Sequence, residues 1–538
     1  MLYVDINSAS PTLPYTDWST AATNIQDAID AASAGDFVVV TNGTYNTGGR
    51  AVYGLATNRV TVDKAVTVQS VNGPATTAIA GFTSTDSFPP FGIRCVYLTN
   101  GASLIGFTLT NGCSRNTGDQ SQEQSGGGIW CEAGNAVVSN CVLAGNSGAR
   151  YGGGAYRGTL VDCTLTNNTA GFGGGGCSNT MIHCTLIRNL CSYNNSNSGG
   201  GAYCCTLSNC LVVGNQALGG GSFGGGVCAS ALSGCVISNN FAANGGGAYS
   251  SFINGSLISS NRASAGGGGA CSGTLTNCLV VLNFAPRGGG VYTFNNDHLY
   301  NCTIVSNTAS SFRGGVNEGV VLNCIIYYNS APSVPNGYPL SVFNCCMTPL
   351  QPGTGNFTNA PLFVDPANGN YHLQSNSPCI NAGNNAYIAN NSDLDGNPRI
   401  AGGSVDMGAY EFQTPASAVS YAWLQQYGLP TDGSADNSDP DGDGLTNLDE
   451  WRAGTDPTNA ASVLRLLSAT AAAPGVALTW QSVGGKKYIV ERASQLGAQL
   501  AFLPLATNIV GQASTTTYTD TDTNAFSLDL FYRVGVRY

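Results

Sequence analysis

Asn140-Cys141-Val142-Leu143-Ala144-Gly145-Asn146, followed by Gly152-Gly153-Gly154-Ala155-Tyr156, decides the fold of this 538-residue chain, because both strings keep returning. The cysteine recurs at Cys163, Cys184, Cys210, Cys235, Cys278, Cys302 and Cys324, with Ser256 once in its place. Five residues after each stands an asparagine: Asn146, Asn168, Asn189, Asn215, Asn240, Asn261, Asn283, Asn307 and Asn329, at intervals of 22, 21, 26, 25, 21, 22, 24 and 22 residues. The glycine string ends at Trp130, Tyr156, Cys177, Tyr203, Cys228, Tyr249, Cys271, Tyr292 and Asn317. Each repeat holds short β-branched runs punctuated by Gly and Asn, with no room for a helix. Short strands, turns on residues that tolerate positive φ and a period near 22 residues define one coil of a parallel β-solenoid, each strand pairing with its equivalent one coil away. Like then stacks on like. The cysteines form an interior column of small apolar side chains, and the asparagines a turn column whose amides hydrogen-bond along the stack.

Composition narrows the function classes. The chain has 73 Gly, roughly twice the usual ~7%, and only 49 charged residues, well under half the usual ~25%. A net charge of −11 with three lysines, Lys64, Lys486 and Lys487, leaves no basic field for a phosphate backbone, which excludes nucleic acid as a partner. No apolar run approaches the ~18 residues of a membrane span. The 20 cysteines lack zinc spacing. Cys204-Cys205, Cys345-Cys346, Cys113, Cys131 and Cys191 fall off the main period and are the better disulfide candidates. Met1-Leu2-Tyr3-Val4-Asp5 runs straight into a folded pattern without a secretory signal, as in a cytosolic protein or a mature form with an added Met.

Ahead of the repeats, Asn24-Ile25-Gln26-Asp27-Ala28-Ile29-Asp30-Ala31-Ala32 has helical spacing, followed by Gly35-Asp36, the strand Phe37-Val38-Val39-Val40 and the turn Asn42-Gly43-Thr44-Tyr45. This start resembles the pectate-lyase-like superfamily of right-handed parallel β-helix proteins, over about residues 3–411. The resemblance implies the fold and leaves activity open, since that superfamily holds lyases, hydrolases, epimerases and adhesins. Phe363-Val364-Asp365-Pro366, Ser377-Pro378-Cys379-Ile380-Asn381-Ala382-Gly383, Asp393-Leu394-Asp395-Gly396-Asn397-Pro398-Arg399 and Val405-Asp406-Met407-Gly408-Ala409-Tyr410-Glu411 are similar to the choice-of-anchor Q domain, at about 361–411. That similarity implies an exported protein, secreted or held at the cell surface.

The expected organisation is an all-β chain: a β-helix with a helical N-terminal cap over 1–411, a linker over 412–460 and a small β-sandwich over 461–538. In the linker, Asp439-Pro440-Asp441-Gly442-Asp443-Gly444-Leu445-Thr446-Asn447-Leu448-Asp449-Glu450 sets acids at loop positions 1, 3, 5 and 12 with Gly at 6. That spacing supplies the oxygens calcium needs, from Asp439, Asp441, Asp443, the Leu445 carbonyl, Asn447 and Glu450. The loop resembles those of dockerin and thrombospondin type 3 repeats, and its calcium is expected to stiffen the joint. The period-two runs Val476-Ala477-Leu478-Thr479-Trp480, Lys487-Tyr488-Ile489-Val490-Glu491-Arg492 and Leu530-Phe531-Tyr532-Arg533-Val534 resemble a fibronectin type III module, a spacer or binding domain.

Groups able to do chemistry are sparse: between Gly126 and Cys346 stand four acids, two histidines and six arginines. Asp162 and His183 share a register just before the cysteine column, so they should lie on adjacent coils about 5 Å apart. They are either an oriented general base, with Arg157 and Arg188 near in sequence, or a surface ion pair. Arg287, Tyr292, Asp297, His298, Arg313 and Glu318 gather over two coils, where Arg with Tyr would bind an acidic sugar as a lyase does. Asp297 and His298 are off register with Glu318. The aromatic stripe Trp130, Tyr156, Tyr203, Tyr249 and Tyr292 is either a sugar platform or, given its interchange with Cys, buried stacking. The insertion 114–125 breaks the repeat and is placed to overhang a groove. The expected function is an exported polysaccharide-associated protein that binds an acidic or sulfated glycan, with lyase chemistry ahead of hydrolysis if it cleaves. Asp162, His183, Arg287, His298 and Arg313 are the candidate catalytic residues. The competing class is a non-catalytic surface adhesin or self-associating fibre element.

Overall fold

The coil beginning at Ala155 shows how the repeat is built. Four short strands, Ala155–Tyr156, Thr159–Val161, Thr164–Thr166 and Thr169–Phe172, are separated by corners at Arg157, Asp162, Asn167 and Gly173, all left-handed, with φ of 59°, 52°, 52° and 64°. Each strand pairs in parallel with its equivalent in the next coil: Tyr156 with Cys177, Leu160 with Met181, Leu165 with Leu186, Ala170 with Cys191. This is a computed structural model, and it describes residues 1–82, 92–192, 198–294, 297–472, 474–494, 502–521 and 530–536. Among these, the third strands of successive coils form a 13-stranded sheet from Gly43–Tyr45 to Cys346–Met347, and the fourth strands an 8-stranded sheet from Ser147–Tyr151 to Thr308–Phe312. The chain divides into two units, Met1–Thr358 with Ser392–Gly396, and Asn359–Asn391 with Asn397–Tyr538; the solenoid is the first. Helix α1 (Ile25–Ala31), capped by Asn24 accepting from the Asp27 amide at 2.8 Å, puts Ile25, Ala28 and Ile29 into the solenoid core.

A left-handed corner turns the chain sharply but leaves the following amide in need of an acceptor. Side chains supply it. The Asn168 amide donates to Asn189 Oδ1 at 3.0 Å, and Asn168 Nδ2 donates both to the same oxygen at 3.0 Å and back to the Leu143 carbonyl at 2.8 Å. This pattern runs from Asn146 to Asn329 and ends on Asn336, seven residues on, which the period does not reveal. The cysteine column does the same: the Cys184 amide donates to Cys210 Sγ at 3.4 Å, Cys210 to Cys235 Sγ at 3.4 Å, and Cys235 to Ser256 Oγ at 3.0 Å. The cysteines are therefore acceptors as well as small apolar fillers, which explains why serine can stand in. All twenty cysteines, including the disulfide candidates, are free; Cys204 is exposed on a corner while Cys205 beside it points inward. Burial pushes the thiols of Cys95, Cys131 and Cys205 up to about 12, so they stay protonated.

The glycine triplet is the fourth corner. Gly152 takes φ +63°, a Cβ on Gly153 would stand 2.3 Å from the Thr169 carbonyl oxygen, and one on Gly154 would meet the Gly175 carbonyl and the Asn168 amide. Glycine column and asparagine column are thus one packing unit.

The second unit holds α2 (Tyr421–Gln426), α3 (Asn447–Ala453) and two antiparallel three-stranded sheets that share a core around Leu478, Trp480, Tyr488 and Val490. In its 397–412 stretch three ionisable side chains are buried together. Glu411 accepts from the amides of Ala401 and Asp406 at 3.2 and 2.9 Å, Asp406 accepts from those of Asn381 and Phe412 at 2.7 Å, and Arg399 donates to the carbonyls of Asp406 and Gly408. Desolvation, with Asp406 adjacent, pushes the Glu411 carboxyl up to about 8. Among the described residues no helix is long and apolar enough to cross a membrane.

Two predictions follow from this packing. Cys210→Val, although more apolar, orphans the Cys184 amide and should cost about 1–3 kcal/mol, whereas Cys210→Ser keeps an acceptor and should cost less; thermal unfolding ranks them, and the reverse order would refute the acceptor role. Folded Glu411 holds its proton to about 8 while the unfolded side chain releases it near 4.5, so unfolding releases a proton between these values. The second unit should lose stability as pH rises through that window, by at most about 1.4 kcal/mol per pH unit, and Glu411→Gln should flatten the slope in denaturant titrations.

Candidate functional site

At the glycine corner the coil is re-entrant. Ala155 points into the core and Tyr156 therefore points out, where it stacks with Tyr151 from the other side of the triplet, 6.0 Å between centroids and 18° between planes. Two columns face each other across this corner along the solenoid. One is the register Trp130, Tyr156, Cys177, Tyr203, Cys228, Tyr249, Cys271, Tyr292, Asn317. The other is the residue before each glycine triplet: Tyr151 and Phe172, then Phe223, Asn244, Gly266, Arg287 and Phe312 in register. Phe172 lies 5.5 Å from Tyr203 and Phe223 4.2 Å from Tyr249, so these two rings of the first column are each braced by one from the preceding coil, while Tyr292 meets Gly266 there.

The cleft is closed at its N-terminal end and open further along. Tyr97, Trp130 and Tyr156, on adjacent coils, pack on one another and are buried, with Tyr97 and Trp130 stacked at 5.5 Å and 11°. The 114–125 insertion lies over them: Trp130 Nε1 donates to the Ser121 carbonyl at 2.7 Å, and Arg115 pairs with Glu123 at 3.0 Å. Beside them Glu132 accepts from Tyr53 Oη at 2.8 Å, Thr99 Oγ1 at 2.7 Å and Tyr97 Oη at 3.2 Å, and the Thr99 and Tyr53 hydroxyls hold its carboxyl below the usual carboxylate range. In the open stretch Tyr203, Phe223, Tyr249, Tyr292 and Phe312 are half-buried and Phe294 is exposed.

Arginine collects on these rings. Arg287 and Arg313 lie 5.3 and 5.6 Å from the Phe312 centroid, Arg150 lies 4.8 Å from Phe172, and Arg157 lies 5.1 Å from Tyr156. Arg313 occupies the left-handed place that glycine holds in other coils, with φ 60°, and reaches Glu318 at 3.7 Å and Asn317 Oδ1.

The structure brings Arg287, Tyr292, Arg313 and Glu318 to one stretch of the cleft. Asp297 instead accepts from the amides of Gly273 and Phe294 at 3.0 and 2.8 Å, serving the turn, and His298 lies on a second strand, stacked on Tyr300 at 5.7 Å and 6°. Asp162 and His183 do meet across adjacent coils, Oδ1 to Nδ1 3.6 Å, on an outer corner with side chains 63% and 56% exposed. Arg157 lies over Tyr156 and donates to the Glu132 carbonyl, and Arg188 occupies another left-handed corner. The opposing column carries only a partial signal in the sequence: the residue just before the glycine string is aromatic or arginine in five of nine coils. Glu132 and Tyr53 carry no such signal, being 79 positions apart.

In the second unit Asp439, Asp441 and Asp443 bring carboxylate oxygens within 4.8 Å of one another. One oxygen of Asp441 and of Asp443 anchors the loop, accepting from the amides of Asp443 and Leu445 at 3.3 and 2.8 Å, and the other is buried without a partner. Asn447 Oδ1 and Glu450 Oε2 are likewise buried and unpartnered, on fully buried residues of the first turn of α3. Desolvation, then Asp441 and Asp443, pushes the Glu450 carboxyl up to about 7. Four inward oxygens with no protein donor fit a hard divalent cation. Leu445 stands at the seventh loop position between them.

No family model and no curated protein matches the sequence. Among solved structures the chain is similar to pectate lyase Pel9A, at 16% identity over 76% of this chain and 96% of that one, with a TM-score of 0.35. It is also similar to a rhamnogalacturonan lyase, at 14% identity over 74% and 88%, TM-score 0.28, and to AlyGC, an alginate lyase of family PL6, at 12% over 64% and 53%, TM-score 0.34. The chemistry of this chain is carried by its own side chains.

The buried acids predict a crossing. In chelator Glu450→Gln should unfold at higher temperature than the parent, because a buried carboxyl is gone. With calcium at about 100 times its Kd the parent should gain about 2.7 kcal/mol and overtake the variant. A parent melting temperature indifferent to calcium would exclude the cation.

Proposed function

We propose that the protein is an exported, right-handed β-helix protein that binds an acidic or sulfated polysaccharide along the re-entrant cleft. The observation that carries this reading is the open stretch of half-buried rings, Tyr203 to Phe312, with Arg287 and Arg313 over its last ring. Rings give sugar faces an apolar partner, and guanidinium groups pair with carboxylate or sulfate in a fork that lysine cannot match. In a chain of net charge −11 such a local concentration of arginine favours an anionic ligand over nonspecific attraction. Calcium at Asp439, Asp441, Asp443, the Leu445 carbonyl, Asn447 and Glu450 supplies positive charge that lets this loop close, and the fibronectin type III-like module beyond it acts as a spacer.

Cleavage is the secondary element of the proposal. A lyase would draw on Arg287 and Arg313, which stand in the cleft; Asp162, His183 and His298 stand outside it. With Glu318 held by Arg313 and Asp297 held by main-chain amides, binding is the better supported activity, and a non-catalytic adhesin shares the same site.

The test is a titration of purified protein with acidic and sulfated polysaccharides, followed in parallel for new reducing ends and for ultraviolet absorbance of unsaturated products. Binding is expected, and Arg287→Gln and Arg313→Gln should each weaken it about tenfold, the order of one charged hydrogen bond. Reducing ends with absorbance would add lyase activity. Silence across the panel would leave the structural fibre element as the account of this chain.

A further inference from the structure

The ring column changes character along the solenoid, and the change has a period. Tyr97, Trp130 and Tyr156 occupy successive coils, one strand spacing or about 4.8 Å apart, so their rings fall on one another and are buried. From Tyr156 onward every second place is cysteine: Cys177, Tyr203, Cys228, Tyr249, Cys271, Tyr292. Cys228 and Cys271 are 1% and 2% exposed, whereas Tyr203, Tyr249 and Tyr292 are half-buried. A thiol is too small to cover its neighbours. The interleaved cysteines therefore separate rings that would otherwise stack, and the bracing by Phe172 and Phe223 fixes Tyr203 and Tyr249 in place.

We infer that this alternation sets the substrate class: an extended, 1,4-diequatorially linked anionic glycan lying along the solenoid axis, one sugar per coil, with every second sugar on a tyrosine. The inference rests on the glycan-binding reading above and adds the linkage geometry. Rings two coils apart are separated by about 10 Å. A diequatorial 1,4 chain advances by close to one coil spacing per sugar and turns each sugar over relative to the last. The same face therefore returns every second residue, at the spacing of the rings. A diaxial 1,4 chain is shorter per residue and loses this register. The three open rings span about 19 Å, enough for five sugars, and Arg287 and Arg313, which lie over Phe312 on the opposing column, take the charge.

The test uses the full chain and three hexasaccharides in calorimetric titration. These are β-1,4-oligomannuronate, which is diequatorial; α-1,4-oligogalacturonate, which is diaxial with the same charge per residue; and neutral, diequatorial β-1,4-oligomannose. The mannuronate should bind at least about tenfold tighter than the galacturonate. The double substitution Cys228→Tyr and Cys271→Tyr, which adds aromatic surface but restores a continuous stack, should lose most of that preference, and so should Tyr249→Ala if the filled column fails to fold. Equal affinity for the two uronates, or a filled column that binds as well as the parent, would overturn the geometric inference while leaving acidic-glycan binding intact. Equal binding of mannose and mannuronate would overturn the acidic reading instead, and failure of all three ligands would overturn both.

Discussion

Every coil of this solenoid turns on left-handed corners, and the amide that follows a corner must find an acceptor outside its own backbone ladder. That requirement explains more of the sequence than any other. It places asparagine where a side chain must accept twice and donate twice, as Asn168 does in accepting from Asn146 and donating to Leu143 and Asn189, and cysteine or serine where one acceptor suffices. It also fixes the glycines, because the asparagine ladder lies against the third residue of each triplet and leaves no space for a Cβ. An interior satisfied in this way has little need of ion pairs, which accounts for a chain so poor in charge.

The cleft is a by-product of the same corners. Three of them are convex, at Arg157, Asp162 and Asn167, and of these Asp162 and Asn167 are exposed while Arg157 folds back over Tyr156. The glycine corner bends the other way, and the residues on either side of it meet outside the core. Rings placed there are held by the repeat itself, so their spacing is quantised in coils. Whether a ring faces solvent then depends on its neighbour one coil away: aromatic beside aromatic stacks shut at Tyr97 and Trp130, and aromatic beside thiol stays half open at Tyr249. The four arginines that lie over these rings are conspicuous because the rest of the solenoid carries so few charges.

The solenoid was legible because period and register are properties of the sequence alone: residues at equal phase in successive repeats must be neighbours. That rule placed Asp162 beside His183. It could not place Arg157 and Arg188 with them, because phase says which residues stack and not which corner points where. The disulfide candidates show the same limit, since adjacent positions such as Cys204 and Cys205 lie on opposite sides of the wall. Glu132 with Tyr53 lay beyond reach for a different reason, as Tyr53 precedes the first recognisable repeat.

The sequence by itself determined the coil, its parallel pairing, the two ladders and the spacing of the acidic loop, since each is encoded in residues at fixed short intervals. Tertiary structure alone decided that the glycine corner is re-entrant, that the residue before each triplet opposes the aromatic stripe, and that Asn447 and Glu450 keep buried, unpartnered oxygens as Asp441 and Asp443 do. These depend on the direction in which a corner or a helix turn projects a side chain, which follows from backbone dihedral angles summed around a coil and cannot be read from one interval.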